Sequence, residues 1–465
     1  MFSTEHFRLV DDNFPECGID CSDWIEKFYN VFSLFKNDSF TRIAILSEKN
    51  VFSVSAIHAA TQLELPYVPI DVNSPPARIQ NILTQLEPEI YFIQKKVVDT
   101  KSESFSNLHT IWESNNFLIA KSTTKSKISH PSELAFLLFT SGSTGTPKGV
   151  MISKTNANCF VDWTINEFQI NKESKILSVA PLHFDLSVFD LFATSKTSAA
   201  IFLPLQNSLM NPLYLAELIS IYKINTIYAT PTWFSLLMEY GKMKRFDYSY
   251  VKTILLAGEA LHVNTIEKLH KYFPNANFAN LYGPTETNVC SFYKIDFATT
   301  IENQKEIVSI GKACPYAQLQ LNAENVLEIA GESVMLGYWP NTNSQEWYNS
   351  GDIVSQDATT KNYFYVERAD RMIKRHGYRI EPAEIESIIS THPNILQVAI
   401  IAKKENENTS IIAHYTSKMR TEIDDIHQHC VSNLTSYMIP DKFILHSQLP
   451  LTSSGKTDYK KLAEL

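Results

Sequence analysis

The chain has 465 residues, of which 44% are hydrophobic and 20% charged, with a formal net charge of −9. This is the composition of a folded globular protein too long for one ordinary core, so two or more domains are expected. The acidic balance argues against nucleic acid as a partner, and no apolar run of about 18 residues is present to span a membrane.

The N-terminus, MFSTEHFRLVDD, lacks the basic start and long apolar run of a signal peptide, so a cytoplasmic location is expected. Cys17, Cys21, Cys159, Cys290, Cys314 and Cys430 are too few and too scattered for a disulfide framework or a paired metal site. From about residue 40, short apolar runs alternate with helical patterns. TRIAILS reads as a strand, NVFSVSAIHAATQL as a helix, LPYVPID as a strand, PARIQNILTQL as a helix and EIYFIQ as a strand.

The apolar run 134–139 then empties into TSGSTGTPKG. Glycines there let backbone N–H groups approach oxygen atoms, hydroxyls donate further bonds, and Lys148 supplies charge. The pattern suits an oxyanion, with phosphate the commonest. Pro147 before Lys148 and Gly149 after it depart from the Walker A spacing. Alternation resumes through KILSVAP, DLSVFDLFATS, AAIFLPL, PLYLAELISIY, NTIYATP, VKTILLAG, VNTIEKLHKYF and NANFANLYG. Two hundred residues of such alternation predict parallel sheets covered by helices, with ligands at the carboxyl ends of strands.

Near residue 310 the texture shifts to short antiparallel strands, SIGKACPYAQLQLN, NVLEIAG and KNYFYVE. A basic segment, RMIKRHGYR, precedes a helix starting near Pro382, where proline is tolerated. The remainder reads as helix, two strands, helix and strand, a small α+β unit bounded near Asp370. From Arg371 onward, twelve basic and eleven acidic residues nearly cancel, which suits an acidic partner for this part.

These motifs together resemble the adenylate-forming superfamily of acyl-CoA synthetases, luciferases and peptide-synthetase adenylation domains. LPYVPIDVNSPPARI, FTSGSTGTPKG, PLHFDLSVFD, NLYGPTE, GESVMLGYW, YNSGDIV, VERADRMIKRHGYRIE, YMIP and LTSSGKTDYKKL occur in the family's order across nearly the whole chain. The resemblance implies an α/β fold. Residues 1–369 would form a large domain of helix-covered sheets plus a distorted barrel, and 370–465 a small mobile α+β domain. It also implies activation of a carboxylate by ATP with Mg²⁺.

Residue by residue, the resemblance assigns Thr140, Ser141, Gly142, Ser143 and Thr144 to the phosphate cradle, with Lys148. Tyr282 would pack on adenine, Asp352 accept from the ribose hydroxyls and Arg368 contact the nucleotide, with Gly283, Thr285 and Tyr365 in the same set. Glu286 would help hold Mg²⁺. Taken alone, Glu286 reads as a carboxylate at a helix N-terminus and Asp352 as a turn residue after glycine. Lys456 would place a point charge between carboxylate and α-phosphate, with Lys148 as the second catalytic lysine and Asp370 as the hinge. His376 stands where the family often has arginine and Glu367 where glycine is usual.

Asp185 matches the aspartate that binds the α-ammonium in amino-acid-activating members; alone, it reads equally as a helix N-cap. The family alignment adds Leu186, Phe189, Tyr228, Leu255, Ala257, Leu281, Val289 and Cys290 as pocket walls. The set is uncharged and suits a compact apolar side chain, resembling stand-alone enzymes that load L-proline on a carrier protein. With no carrier module after Leu465, a holo carrier acting in trans is expected as acceptor. Two alternatives stay open: an acyl- or aryl-CoA synthetase with coenzyme A as acceptor, and a catalytically dead binding protein of the same fold.

Overall fold

A computed structural model describes residues 8–11, 19–20, 22–36, 41–100, 105, 107–142, 146–297, 306–342, 346–405, 408–419, 421–451 and 457–464. Two compact units are present. The larger comprises Met1–Val72, Glu87–Leu138 and Gly149–Ala369, and the smaller Asn73–Leu86, Phe139–Lys148 and Asp370–Leu465.

The larger unit is built on two wide sheets. In the first, strands Asn277–Tyr282, Thr253–Leu256, Thr226–Ala229, Lys175–Leu177 and Ala200–Leu203 lie side by side and parallel. Antiparallel Ser291–Ile295 and Lys312–Ala313 extend one edge. The second sheet has a parallel centre, Leu134–Thr140, Tyr67–Pro69, Ile43–Leu46 and Ile90–Gln94, followed by a hairpin, Phe117–Ser122 with Leu108–Glu113. The parallel strands read as continuous apolar runs because helices cover both faces.

Alternation along the first sheet sorts its side chains into two cores. Tyr228, Leu255, Ala257, Ala279 and Leu281 join one cluster with the helix Leu186–Thr197 and the second sheet. Their sequence neighbours Ile227, Ala229, Ile254, Leu256 and Phe278 join the other. The register Tyr228↔Leu255↔Ala279 holds this sorting, since a one-residue slip would exchange the two faces. Each fully buried Leu or Ile in these cores stabilises by about 1.5–3 kcal/mol. A four-stranded antiparallel sheet completes the unit, in the order Ala317–Leu321, Val326–Gly331, Tyr348–Gln356, Tyr363–Arg368.

In the smaller unit, Ile395–Glu405 pairs antiparallel with Asn408–Ser417, which pairs parallel with Lys442–Leu445. The helices Pro382–Ser390 and Ile423–Asn433 bury Ile385, Ile389, Ile426 and Cys430 against this sheet. Pro382 occupies the first turn of its helix, as its missing N–H requires. A short hairpin, Ile373–Arg375 with Tyr378–Ile380, turns through His376 and Gly377 at φ of 53° and 79°. Two successive left-handed residues make the tight turn that fits strand twist. This gives His376 a backbone role that its difference from the family's arginine did not suggest.

Among the described residues, no helix is long and apolar enough to cross a membrane. Cys159, Cys290, Cys314 and Cys430 are free thiols, whereas Cys17 and Cys21 lie outside the described residues.

Candidate active site

Asp352 sits in a nine-residue strand, not in a turn. Gly351, at φ 70°, and a register shift after Ile353 bend that strand. The carboxylate is 1% exposed. Tyr282 donates its hydroxyl to Oδ2 at 2.6 Å, and Arg368, its cross-strand partner, donates Nη1 to Oδ1 at 3.0 Å. Arg368 also donates to the Ser350 carbonyl at 2.7 Å, and the Ser350 hydroxyl accepts from the Asp352 N–H at 3.1 Å. Three residues separated by 70 and 16 positions thus meet at one buried anion. Each oxygen accepts from a protein donor, and a carboxylate oxygen can accept more than one hydrogen bond, so the group suits a diol ligand such as ribose. Burial and the adjacent Asp352 charge push the Tyr282 phenol well above its ordinary value, so it remains a donor. Tyr365 lies on the same strand as Arg368 and packs beside the Tyr282 cluster.

The segment after strand Asn277–Tyr282 folds back tightly. A Cβ at Gly283 would fall 1.6 Å from the Asn288 carbonyl oxygen, so this position admits glycine alone. Residues 283–290 form turns and no helix starts there, which removes the helix-terminus reading of Glu286. Glu286 is fully buried, and Tyr338 donates its hydroxyl to Oε1 at 2.7 Å. Among the described residues, no cluster of three or more His, Cys, Asp and Glu could hold a metal ion. A single anchored carboxylate suits Mg²⁺, which binds through one or two carboxylates plus substrate phosphates.

Asp185 stands at the N-cap of the helix Leu186–Thr197 but makes no capping hydrogen bond, and its φ and ψ are helical. The carboxyl group is hydrogen-bonded by Thr285 and lies near Glu286. Burial, then the Glu286 charge, raise its pKa above the ordinary aspartate value, while the Thr285 hydrogen bond works the other way. A cation beside it would relieve both effects. Below lie buried apolar walls: Leu186 and Phe189 on the helix, Tyr228, Leu255, Ala257 and Leu281 on one sheet face, and Val289 after the turn. The Phe189 and Tyr228 rings meet edge to face at 5.6 Å. Cys290 is also buried but belongs to the neighbouring cluster with Tyr282.

Within the smaller unit, the Ser141 hydroxyl donates to the Arg379 carbonyl at 2.8 Å, and the Gly142 N–H bonds Glu384, which pairs with Arg78. A Cβ at Gly142 would lie 1.8 Å from the Thr146 carbonyl oxygen, so position 142 admits glycine alone. Thr140 ends the preceding strand and Lys148 begins the next. Asp370 accepts from the Met372 N–H at 3.1 Å. Ser143, Thr144 and Lys456 lie outside the described residues.

The AMP-binding enzyme family matches residues 37–339, and the AMP-binding enzyme C-terminal domain matches residues 384–456. The chain belongs to this family of adenylate-forming enzymes. As an AMP-binding enzyme it is a ligase with a large N-terminal and a small C-terminal part. An L-proline--[L-prolyl-carrier protein] ligase from Pseudomonas fluorescens is 29% identical over 446 residues, covering 91% of this chain and 88% of that protein. A D-alanine--D-alanyl carrier protein ligase from Staphylococcus aureus is 31% identical over 422 residues, covering 86% and 84%. The solved adenylation domain AlmE of Vibrio cholerae, in complex with glycyl-adenosine-5′-phosphate, superposes with a TM-score of 0.81 at 20% identity, over 98% of this chain and 94% of that one.

Sequence reading missed the strand that carries Asp352, because an Asp after Gly351 reads as a turn residue; the alternation Ser350, Asp352, Val354, buried on one face, was the available signal. It also missed Tyr338 as the partner of Glu286. No local pattern links two residues 52 apart.

Proposed function

We propose that the chain joins a small apolar amino acid, L-proline above others, to ATP and passes the aminoacyl group to the phosphopantetheine thiol of a separate, acidic holo carrier protein in the cytoplasm. The observation that carries this reading is Asp185. It occupies a helix N-cap without capping and is buried beside Thr285 and Glu286, where a substrate cation would offset the cost of its charge. The apolar walls beneath it suit an amino acid that brings its own ammonium and a compact apolar side chain. The carrier-ligase names of the relatives above support the same class.

In the first step the amino-acid carboxylate oxygen attacks the α-phosphorus of ATP and pyrophosphate leaves. In the second the carrier thiolate attacks the acyl carbonyl and AMP leaves. Thr140, Ser141, Gly142, Ser143, Thr144 and Lys148 are assigned to the phosphates, with Gly283 and Thr285 shaping the turn. Asp352, set by Tyr282 and Arg368, is assigned to the ribose, and Tyr365 to the same nucleotide pocket. Glu286 is assigned to Mg²⁺, an ion that offsets phosphate charge when bound. Lys456 supplies the charge that offsets the pentavalent phosphorus. Residues 1–369 are assigned to the adenylation core, although Asn73–Leu86 and Phe139–Lys148 belong to the smaller compact unit, and 370–465 to a domain that turns on Asp370.

Pyrophosphate exchange over amino, fatty and aryl acids tests the reading. Proline should give the highest rate, with leakage to alanine and valine, because shape alone discriminates only about 10- to 200-fold. A charged, aromatic or long-chain acid at the top, with proline at background, would overturn the pocket assignment.

A further inference from the structure

Lys49 lies between the strand Ile43–Leu46 and the helix Val51–Gln62, and only 7% of it is exposed. The chemistry above does not use it. Its ammonium donates to the Ser178 carbonyl at 2.5 Å, the Ser178 hydroxyl at 3.2 Å and the Ala180 carbonyl at 2.8 Å. A lysine has three N–H donors, and all three are engaged. Lys49 therefore has no donor left for substrate and acts through what it holds. Those acceptors lie on the segment that leaves the strand Lys175–Leu177 and runs to Asp185.

A second buried charge lies within its electrostatic reach. Asp190, on the helix that starts after Asp185, is fully buried, and the Lys49 charge acts on it. Desolvation pulls the Lys49 ammonium below its ordinary value and pushes the Asp190 carboxyl above its own, and each partner's charge opposes the shift of the other. Tyr228, a wall of the amino-acid pocket, feels both Asp185 and Asp190. One member grips the backbone leading to Asp185, and the other sits five residues beyond it on the following helix.

We propose that Lys49, with Asp190 as its buried counter-ion, is a positioning residue for the amino-acid pocket, fixing the 178–185 segment so that Asp185 meets the substrate ammonium. This rests on the function proposed above.

The test uses the full chain carrying Lys49→Met, Lys49→Arg and the double change Lys49→Met/Asp190→Leu, the last of which leaves no buried charge unpaired. Pyrophosphate exchange gives KM for proline and for ATP, and thermal melting reports the fold. Both Met-containing variants should raise the proline KM about 10- to 100-fold, the scale of a misplaced binding group. The ATP KM should stay within about twofold, because only one ligand's site is disturbed. The double variant should melt higher than Lys49→Met without regaining the proline KM, and Lys49→Arg should lie nearer the unmodified enzyme. An unchanged proline KM, or an equal rise in both KM values, would overturn the inference while exchange by the unmodified enzyme upheld the function. Failure of both Met-containing variants to fold would overturn it too, since the pair would then hold the fold and not the pocket. Absence of amino-acid-dependent exchange by the unmodified enzyme would instead remove the proposed function.

Discussion

The Tyr282 hydroxyl donates to Asp352 Oδ2 at 2.6 Å, joining the end of a parallel strand to an antiparallel one 70 residues later. The family resemblance assigned Tyr282 to adenine. The geometry adds a different role, orientation of the carboxylate that would meet ribose.

Replacing Tyr282 by Phe should therefore raise the KM for ATP and leave that for the amino acid unchanged. It should also cost about 1.5–3 kcal/mol of stability, the worth of a hydrogen bond to a charged group. Asp352→Ala should cost more, about 3–5 kcal/mol, because it strands the buried Arg368. Urea unfolding with paired KM measurements checks both. An equal effect of Tyr282→Phe on the two KM values would show that Tyr282 does not act through the nucleotide.

Asp185 gives a pH dependence with a definite sign. Its carboxyl pKa is raised by burial and by Glu286, and the ammonium pairs only with the ionised form. On lowering the pH, kcat/KM for the amino acid should begin to fall above the ordinary aspartate range, while the KM for ATP stays flat. Asp185→Ala should abolish exchange with every amino acid. Measurable exchange with proline in that variant would break the assignment.

Lys456 is expected to divide the two half-reactions. Lys456→Ala should slow adenylation by about 10²-fold or more, the scale of losing one oriented stabilising group. Thioester formation from preformed aminoacyl adenylate should continue. Quench-flow measurement of each half-reaction decides, and an equal loss in both would remove the division.

The acceptor is tested by mass spectrometry of a mixture of enzyme, ATP, proline and acidic holo carrier. The carrier should gain the prolyl mass, and its apparent affinity should weaken with added salt. Acylation of coenzyme A alone would favour the synthetase alternative.

The turn at His376 and Gly377 offers a purely structural check. Gly377, at φ 79°, should lose about 1–2 kcal/mol on replacement by alanine, from the left-handed backbone alone. Thermal melting measures this, and His376→Asn should be tolerated, because asparagine also accepts that conformation.

By itself the sequence determined most of the helices and the parallel strands. Apolar runs of four to seven residues between helical patterns gave the parallel strands, and Pro382 marked its helix start, because these signals are local and periodic. The family's motifs, lying in order, further assigned the site residues without saying how they meet. Tertiary structure decided the pairings that no periodicity encodes. Tyr228, Leu255 and Leu281 share one face only because the register Tyr228↔Leu255↔Ala279 holds across three separate strands. Asp185 and Asp352 each had a bland local reading, a cap and a turn, and both readings gave way to the packing. One carboxylate is drawn to Thr285, the other to Tyr282 and Arg368, since a buried anion must find donors wherever the fold brings them.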